Sequence, residues 1–493
     1  MIVNRLENKS SGWTNAAYTG NVRPLPPIRP PSLTPRLFAA LVAGKAAGTA
    51  TRLLGLGGGT SLPGAVAHRI DPNLLDRLVR RSGMPVVVIT GSNGKTTTAR
   101  FAAALLRGER IDASHNSAGA NLAQGVISLA VALSDLRGHL PEGVLVAEVD
   151  EGALPQVVPE MAPRAVLVTD LFRDQLDRYG ELYAVADVME SVASSLPPEA
   201  AWIVNADDPL VASLASQRKG RKVTFGFDLD HSTDHITRAS DTIRCPRCRS
   251  DLVYDQVYLS HMGAYHCPGC EFTRPPIDVA VTALEVASIA ETRFTVRLPS
   301  GELQLRVPQA GVHIAYDAAA ALAVLVALGI EPVHAAASLA AVGPAFGRLE
   351  LIQAGDRQII LGFAKNPTSY NTTLRALASE GEPRQLLVAA SNTLVDGEDF
   401  AWLWDVDFET SAPQIERVTV SGARADELAN RLKYAGVDPS LMTIVVERSA
   451  ALDAALAGVG SGQRLTVLAG YTPTLELREE MRRRGWVGRF WEA

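Results

Sequence analysis

The chain has 493 residues, of which 47% are hydrophobic and 20% are charged, and its formal net charge is −6. This length allows two or three domains, each with its own core, and the small negative charge gives no general attraction for nucleic acid. No window reaches the roughly 18 uncharged apolar residues of a membrane span, and the N-terminus lacks the pattern of a signal peptide. We therefore expect a cytoplasmic protein.

The N-terminal part of the chain changes character twice before residue 84. Residues 1–36 are polar and then rich in proline, which predicts a flexible tail. Residues 37–83 show helical periodicity, and a glycine-rich stretch at 55–59 interrupts it. No nucleotide-binding domain fits before Met84.

The stretch from Met84 to Arg100 predicts a phosphate-binding P-loop. Residues 86–89 are β-branched and apolar, as in a buried parallel strand, and residues 99–106 look helical. Between them lies a glycine loop with hydroxyl and lysine side chains, made of Gly91, Ser92, Asn93, Gly94, Lys95, Thr96 and Thr97. Lys95 would reach the β- and γ-phosphates of a nucleotide, and Thr96 would offer its hydroxyl to Mg²⁺. A glycine turn with a surface lysine is the alternative.

Strands alternate with helices as far as residue 205, which predicts a parallel sheet covered on both faces. The stretch 143–151 is a second buried strand that ends in Glu148, Asp150 and Glu151. Ligands of such a sheet bind at the carboxyl ends of its strands, so we expect Glu148 to hold Mg²⁺. A solvated acidic turn is the alternative. Asp174 and Asn205 follow the next two strands and would lie at the same edge.

All four cysteines fall into two CxxC pairs, at Cys245 and Cys248 and at Cys267 and Cys270. This spacing, with a hairpin turn predicted between the two pairs, is typical of a zinc ribbon, in which four thiolates hold one Zn²⁺ in a closed, structural site. No cysteine remains for a disulfide or for nucleophilic catalysis. Few basic residues flank the ribbon, so we do not expect it to bind nucleic acid.

The last third of the chain repeats the α/β pattern, with strands predicted near 358–361, 385–389, 417–420, 442–446 and 464–469. An acidic and aromatic stretch at 396–409 lies within it. The sequence therefore predicts a tail (1–36), a central P-loop domain (37–345) with a zinc-ribbon insertion at about 241–275, and a Rossmann-like C-terminal α/β domain (346–493).

Several motifs resemble those of the Mur ligase superfamily, ATP-dependent enzymes that form amides in peptidoglycan synthesis and folate polyglutamylation. These motifs are TGSNGKT at 90–96, DLFRDQLDR at 170–178, VNADDP at 204–209 and GRLE at 347–350. Within that superfamily, the chain resembles the MurT family, the ligase-like subunits of lipid II isoglutaminyl synthase. The narrower resemblance rests on the missing UDP-binding domain, the Cys₄ insertion, FRDQLDRYGE at 172–181 and DGEDFAWLWDVDFE at 396–409.

This resemblance implies a mechanism and a set of roles. ATP would phosphorylate the α-carboxylate of D-glutamate in the lipid II stem peptide, and ammonia would attack the acyl phosphate to give D-isoglutamine. Lys95, Thr96 and Glu148 would hold the phosphates and Mg²⁺. Three further residues would contact ATP, namely Asn121 near the γ-phosphate, Asn205 near the nucleotide and Arg348 from the hinge.

The resemblance also implies a partner, a GatD-like glutaminase that releases the ammonia. The cysteine count supports this independently, because glutamine hydrolysis commonly needs a nucleophilic cysteine and the zinc knuckles use all four. An aspartate of the stretch 396–409 would orient the partner's catalytic histidine, with Asp399 and Asp405 as the first candidates. A solvated acidic loop with core tryptophans is the alternative. Lipid II would bring the protein to the inner face of the membrane.

The chain departs from the family pattern at several positions. Gln175, Asp187 and residues 365–367 replace a histidine, a carbamylated lysine and a histidine-containing motif of many Mur ligases, which suits a ligase that accepts ammonia. Ile314 and Asp317 stand where the family has asparagines that hold adenine, so nucleotide affinity or base preference would differ. Two other functions remain open: a ligase that adds an amino acid, and a non-catalytic P-loop scaffold.

Overall fold

The computed structural model describes most of the chain from residue 32 onward. The described residues are 32–53, 61–116, 120–173, 182–236, 240–288, 290–343, 348–378, 384–393, 396 and 400–488. The first helix begins at Pro35, so it takes in the last two residues of the predicted tail. Proline is favoured at a helix start because its missing N–H needs no partner there, and the Thr34 hydroxyl accepts a hydrogen bond from the Leu37 N–H (3.1 Å).

Eleven strands lie in the part of the chain that the structure describes up to residue 343. They are β1 (Val86–Thr90), β2 (Ala113–His115), β3 (Val144–Glu148), β4 (Ala165–Val168), β5 (Ala201–Asn205), β6 (Lys222–Phe227), β7 (Val253–Leu259), β8 (Met262–His266), β9 (Val279–Ser288), β10 (Glu291–Leu298) and β11 (Gly301–Val307). Nine of them form one sheet in the order β11-β10-β9-β6-β5-β4-β1-β3-β2. The sheet is parallel from β2 to β9 and antiparallel at β10 and β11.

Helices cover both faces of this sheet, as the alternation of strands and helices predicted. They are Pro35–Leu53, Leu62–Ile70, Leu74–Ser82, Lys95–Gly108, Ala123–Leu133, Leu154–Met161, Leu182–Ser195, Pro209–Gln217, Val312–Leu328 and Ala335–Ala340. Successive side chains of β1 enter opposite cores: Val87 and Ile89 pack toward Val312–Leu328, and Val86 and Val88 pack toward the N-terminal helices. A strand buried on both faces explains the continuous apolar run.

The C-terminal part forms a second sheet, which bears out the predicted α/β repeat. Its strands are β12 (Arg348–Ala354), β13 (Arg357–Phe363), β14 (Arg384–Ala389), β15 (Ile415–Ser421), β16 (Met442–Ile444) and β17 (Arg464–Ala469). Their order is β12-β13-β17-β14-β15-β16. Its helices are Pro367–Ala378, Ala425–Tyr434, Arg448–Ala457 and Tyr471–Arg483. All five strands predicted here are present.

The cysteine-rich insertion contains the hairpin that its spacing predicted. β7 and β8 pair with each other in an antiparallel sheet apart from the main one. Tyr265, Phe272 and the Cys245 and Cys267 side chains form its small core. Among the described residues, the structure contains no helix with the length and apolar character needed to cross a bilayer.

The helices Leu62–Ile70 and Ala123–Leu133 cross at Gly64, where their backbones are in direct contact. A Cβ at Gly64 would lie 2.0 Å from the Gln124 carbonyl oxygen, and the Gly64 N–H donates to the buried Ser128 hydroxyl (2.7 Å). We expect Gly64→Ala to force these helices apart and to lower the free energy of unfolding by about 2 kcal/mol. Urea unfolding measures the change, with Gly343→Ala as the control because a Cβ there meets nothing within 4 Å. Equal stability of the two variants would contradict this packing.

Candidate active site

The loop after β1 has the sharp bend that a phosphate-binding backbone needs. Gly91 (φ 127°) and Gly94 (φ 76°) lie in the region that favours glycine. A Cβ at Gly91 would lie 2.1 Å from the Thr169 hydroxyl oxygen, so a side chain has no room there. Asp170, which follows β4, holds the loop through two hydrogen bonds. The Ser92 N–H donates to the Asp170 carbonyl (3.0 Å), and the Asn93 N–H donates to the Asp170 carboxylate (2.7 Å).

Lys95 lies in this loop with its ammonium group almost fully buried. Its Nζ donates to the Gly91 carbonyl and lies 3.2 Å from both carboxylate oxygens of Glu151. Burial raises the pKa of Glu151 and Lys95 opposes the shift, while the neighbouring Asp150 adds to it. The sequence marked Glu151 only as one of three carboxylates after β3. Its place three residues beyond Glu148 was the one signal that it belongs to the site.

The two residues predicted to hold Mg²⁺ lie side by side. The Thr96 hydroxyl donates to Glu148 Oε2 over 2.8 Å, although 52 residues separate them in the chain. Asn116 holds Glu148 in place through its backbone, because its Oδ1 accepts from the Glu148 N–H and its Nδ2 donates to the Glu148 carbonyl (both 2.8 Å). A hydroxyl and a carboxylate next to a phosphate loop are oxygen ligands of the kind that Mg²⁺ takes. Sequence reasoning missed Asn116.

A cleft opens beside the P-loop, at the carboxyl ends of the strands and against the C-terminal domain. Its central-domain lining includes Asn93, Gly94, Thr169, Asp170, Phe172, Asn205, Phe225, Leu259, Met262, Ile314 and Asp317; Leu349, Phe363 and Thr373 line it from the C-terminal domain. The Asn205 amide donates to the Thr169 carbonyl (3.1 Å), and its oxygen accepts from the Asp207 N–H (3.0 Å). Asn205 therefore lies in the wall of the cleft, at the carboxyl edge of the sheet where the sequence predicted it.

Two buried carboxylates lie at the edge of the cleft next to the loop. Asp317 Oδ1 accepts a hydrogen bond from the Thr98 hydroxyl (3.2 Å). A Cβ at Gly94 would lie only 2.2 Å from the same oxygen. Burial raises the pKa of Asp170 well above its usual range; the Asn93 N–H opposes this shift, and Asp208 and Asp317 add to it. An ionised carboxylate at 317 can only accept hydrogen bonds, whereas an amide there would also donate.

The structure does not bring every predicted site residue into view. Asp399 lies outside the described residues, as do Asp174 and Gln175 of the second motif. Arg348 begins β12, and its side chain also lies outside what the structure describes. Asn121 lies near the ends of the strands, where its carbonyl accepts from the Asp150 N–H (2.9 Å).

Polar contacts join the C-terminal domain to the P-loop domain around the cleft. The Asn366 amide donates to the Asn93 side chain of the loop (3.0 Å). Arg173 pairs with the buried Asp241 and lies 3.5 Å from Asp405, whose side chain is 40% exposed. Asp405, which the sequence predicted to contact the partner, therefore lies next to the segment that follows β4.

The four cysteines converge at the base of the β7–β8 hairpin. Their sulfur atoms all lie within 4.8 Å of one another, with Cys245 and Cys270 at 3.6 Å and Cys248 and Cys267 at 3.3 Å. Four thiolates around Zn²⁺, at about 2.3 Å from the metal, would stand roughly 3.8 Å apart. The donor set and its spacing therefore fit a closed zinc site, as the two knuckles predicted.

Known proteins share both the sequence motifs and the fold. Residues 89–257 match the Mur ligase middle domain, and residues 363–474 match the MurT ligase C-terminal domain. The MurT subunit of lipid II isoglutaminyl synthase (glutamine-hydrolyzing) from Staphylococcus aureus strain COL is 31% identical over 416 residues, which cover 84% of this chain and 90% of that protein. The corresponding subunit of Streptococcus pneumoniae strain R6 is 29% identical and is covered over 92% of its length.

Solved structures support the same assignment of the fold. A pseudomurein peptide ligase type C from Methanothermus fervidus superposes with a TM-score of 0.63 at 20% identity, covering 82% of this chain and 80% of that one. Mycobacterium tuberculosis folylpolyglutamate synthase, complexed with ADP and AMPPCP, superposes with a TM-score of 0.59 at 16% identity, with 92% and 96% of the two chains covered.

Fold, P-loop and sequence similarity together define an ATP-dependent ligase of the Mur ligase superfamily. Within that superfamily the chain belongs to the MurT family.

The Cys₄ cluster gives a direct prediction for the metal. We expect about one zinc per chain, and we expect Cys245→Ser to lose the metal and much of the solubility, because ribbon segments rarely fold without it. Cys245 is fully buried in the ribbon core. Elemental analysis of the purified protein measures the metal, with Ser300→Ala, at an exposed position in the turn between β10 and β11, as the control. Full zinc content in Cys245→Ser would contradict the site.

Proposed function

We propose that this chain is the ligase subunit of a lipid II isoglutaminyl synthase. It converts the α-carboxylate of D-glutamate in the lipid II stem peptide to an amide, at the expense of ATP. The names and the coverage of the MurT relatives support this substrate. The observation that carries the chemistry is the P-loop with Lys95 in its bend and Thr96 against Glu148.

The reaction has two steps that the site is suited to support. A carboxylate oxygen of the substrate first takes the γ-phosphoryl group of ATP, and ADP leaves. Ammonia then attacks the carbonyl carbon, the C–N bond forms, inorganic phosphate leaves, and the nitrogen loses a proton. Lys95 and the backbone N–H groups of the residues from Gly94 to Thr97 would hold the phosphates. Thr96 and Glu148 would hold Mg²⁺, which when bound neutralises phosphate charge.

Other contacts to the nucleotide follow from the family pattern and stay proposals. Asn121 would lie near the γ-phosphate and Arg348 would contact ATP from the C-terminal domain. Asn205 would contribute to nucleotide binding as part of the wall of the cleft. Zinc would be structural, since four thiolates complete its coordination.

We propose that the ammonia comes from a separate GatD-like glutaminase. The four cysteines of the chain converge at the zinc site, so this chain has no thiol left for glutamine hydrolysis. Asp405 ends the short helical turn Ala401–Asp405 on the surface, next to the exposed Trp404. An exposed carboxylate with an aromatic neighbour suits a contact with a second subunit. Asp399 is the other candidate.

The domain limits and the location belong to the same proposal. We place the end of the tail where the first helix begins, at Pro35, the central domain from there to 345 with the ribbon inserted at about 241–275, and the C-terminal domain at 346–493. The protein would work in the cytoplasm and meet the membrane surface through lipid II.

Amidation of lipid II tests the catalytic part. With ATP, Mg²⁺ and ammonium, the purified chain alone is expected to add one amide per molecule, while glutamine is expected to work only with the glutaminase present. Lys95→Ala should lower the rate by about 10²-fold or more, because a buried cation on the transferred phosphoryl group is lost. Mass spectrometry of lipid II measures the product, and Lys433→Ala, on an exposed helix position, serves as the control.

Each outcome separates the candidate functions. Turnover that requires an amino acid and no partner would favour a ligase that adds a residue. A chain that hydrolyses no ATP, and that Lys95→Ala leaves unchanged, would be a scaffold.

Asp405→Asn and Asp399→Asn test the contact with the glutaminase. We expect at least one of them to abolish amidation with glutamine, while amidation with ammonium stays within about twofold of wild type, because the acyl-phosphate site is separate from glutamine hydrolysis. The ratio of the two rates is the readout. Asp426→Asn, at an exposed position in the first turn of the helix Ala425–Tyr434 and outside this stretch, is the control. Equal loss with both nitrogen sources would show that the residue serves the ligase site and not the partner.

A further inference from the structure

The tip of the zinc-ribbon hairpin reaches the cleft beside the P-loop. We propose that this tip forms one wall of the nucleotide site, so that the Cys₄ centre controls nucleotide affinity as well as local folding. The inference rests on the proposed function, since it takes the cleft as the ATP site.

Two apolar side chains at the tip line the cleft. Leu259 ends β7 and Met262 begins β8, and both face the cavity opposite Ile314. Met262 is 1% exposed and Leu259 is 7% exposed. Between them the chain turns at Ser260, whose φ of 55° permits a tight reversal. An apolar wall of this kind is what a planar base requires on its face.

The hairpin is joined to the end of β5 by three consecutive contacts. The Asn205 amide donates to the Met262 sulfur (3.3 Å), and the Gly263 N–H donates to the Asp207 carbonyl (2.9 Å). The Tyr265 hydroxyl donates to the Ala206 carbonyl (3.2 Å). β8 thus runs along residues 205–207, so a displacement of β8 would move the cleft wall.

His261, at the turn, is fully buried against the segment after β4. Its ring lies 4.5 Å from that of Phe172, which also lines the cleft, and its Nε2 lies 3.4 Å from the Asp208 carboxylate. The same carboxylate accepts from the Leu171 N–H (2.8 Å). The tip is therefore packed against two of the loops that carry the family motifs.

The zinc site lies at the opposite end of the same strand. Cys267 follows β8 directly, so a residue of the cysteine cluster lies five positions after Met262 in the chain. An isolated two-stranded hairpin is marginally stable in water, and zinc binding contributes folding energy to such segments. With zinc bound, β8 is held at both ends; without zinc, only the contacts of the tip with residues 205–208 would hold Leu259 and Met262 in the cleft.

Binding of a fluorescent ATP analogue to the full chain tests this inference. Met262→Ala and Leu259→Ala are expected to raise Kd about fivefold or more, because each removes apolar contact area from the wall. Met262→Leu, which keeps the volume, should stay within about twofold of wild type. Val253→Ala, exposed at the far end of the same hairpin, is the matched control and should leave Kd unchanged. Zinc content is measured for each and should stay at the wild-type level.

Cys248→Ser gives the second arm, since this exposed ligand lies far from the tip. We expect it to lose zinc and to weaken nucleotide binding at least as much as Met262→Ala. Unchanged affinity of the zinc-loaded Met262→Ala and Leu259→Ala variants would overturn the inference, whether or not Cys248→Ser folds. Failure of the wild-type chain to bind the analogue is a different result, which would overturn the proposed nucleotide site itself.

Discussion

The bend between β1 and the helix Lys95–Gly108 depends on side chains that occupy the space beside its two glycines. Thr169 lies against Gly91 and Asp317 against Gly94, at distances that leave no room for a Cβ. The first comes from the end of β4 and the second from a helix more than 200 residues away in the chain. The loop is thus held from two sides by the packed sheet and helix, and Lys95 and Thr96 take their directions from it.

A second constraint is electrostatic. Lys95 is buried against Glu151, so the cation of the loop lies in a buried ion pair. A buried pair of this kind is tolerated only when each charge has partners. In the proposed function, a phosphate bound in the loop would compete with Glu151 for the Lys95 ammonium group.

The two domains and the ribbon complete the enclosure of this loop. Asn366 contacts Asn93, Arg173 lies near Asp405, and the ribbon tip lines the cleft next to Asn205. An acyl phosphate must be protected from water until ammonia reaches it. A cleft between two domains provides this protection. Asp405 lies at the surface, 3.5 Å from Arg173 in the segment after β4.

The local elements of this protein were predictable from sequence, because strand periodicity, glycine spacing and the CxxC pairs each act over a few residues. The P-loop, the parallel central sheet, the five C-terminal strands and the ribbon hairpin were all expected on that basis. The position of Thr96 and Glu148 at the same edge of the sheet also followed, since parallel strands end at one edge, whereas the hydrogen bond between them is visible only in the structure.

What the sequence left undetermined are the contacts between elements distant in the chain. The ion pair of Lys95 with Glu151, the place of Asp317 on Gly94 and the position of Met262 in the cleft depend on register and on which helix or hairpin covers which strand end. The spacing of residues along the chain does not determine that register or that coverage. They are decided only when the sheet is assembled and its neighbours pack against it.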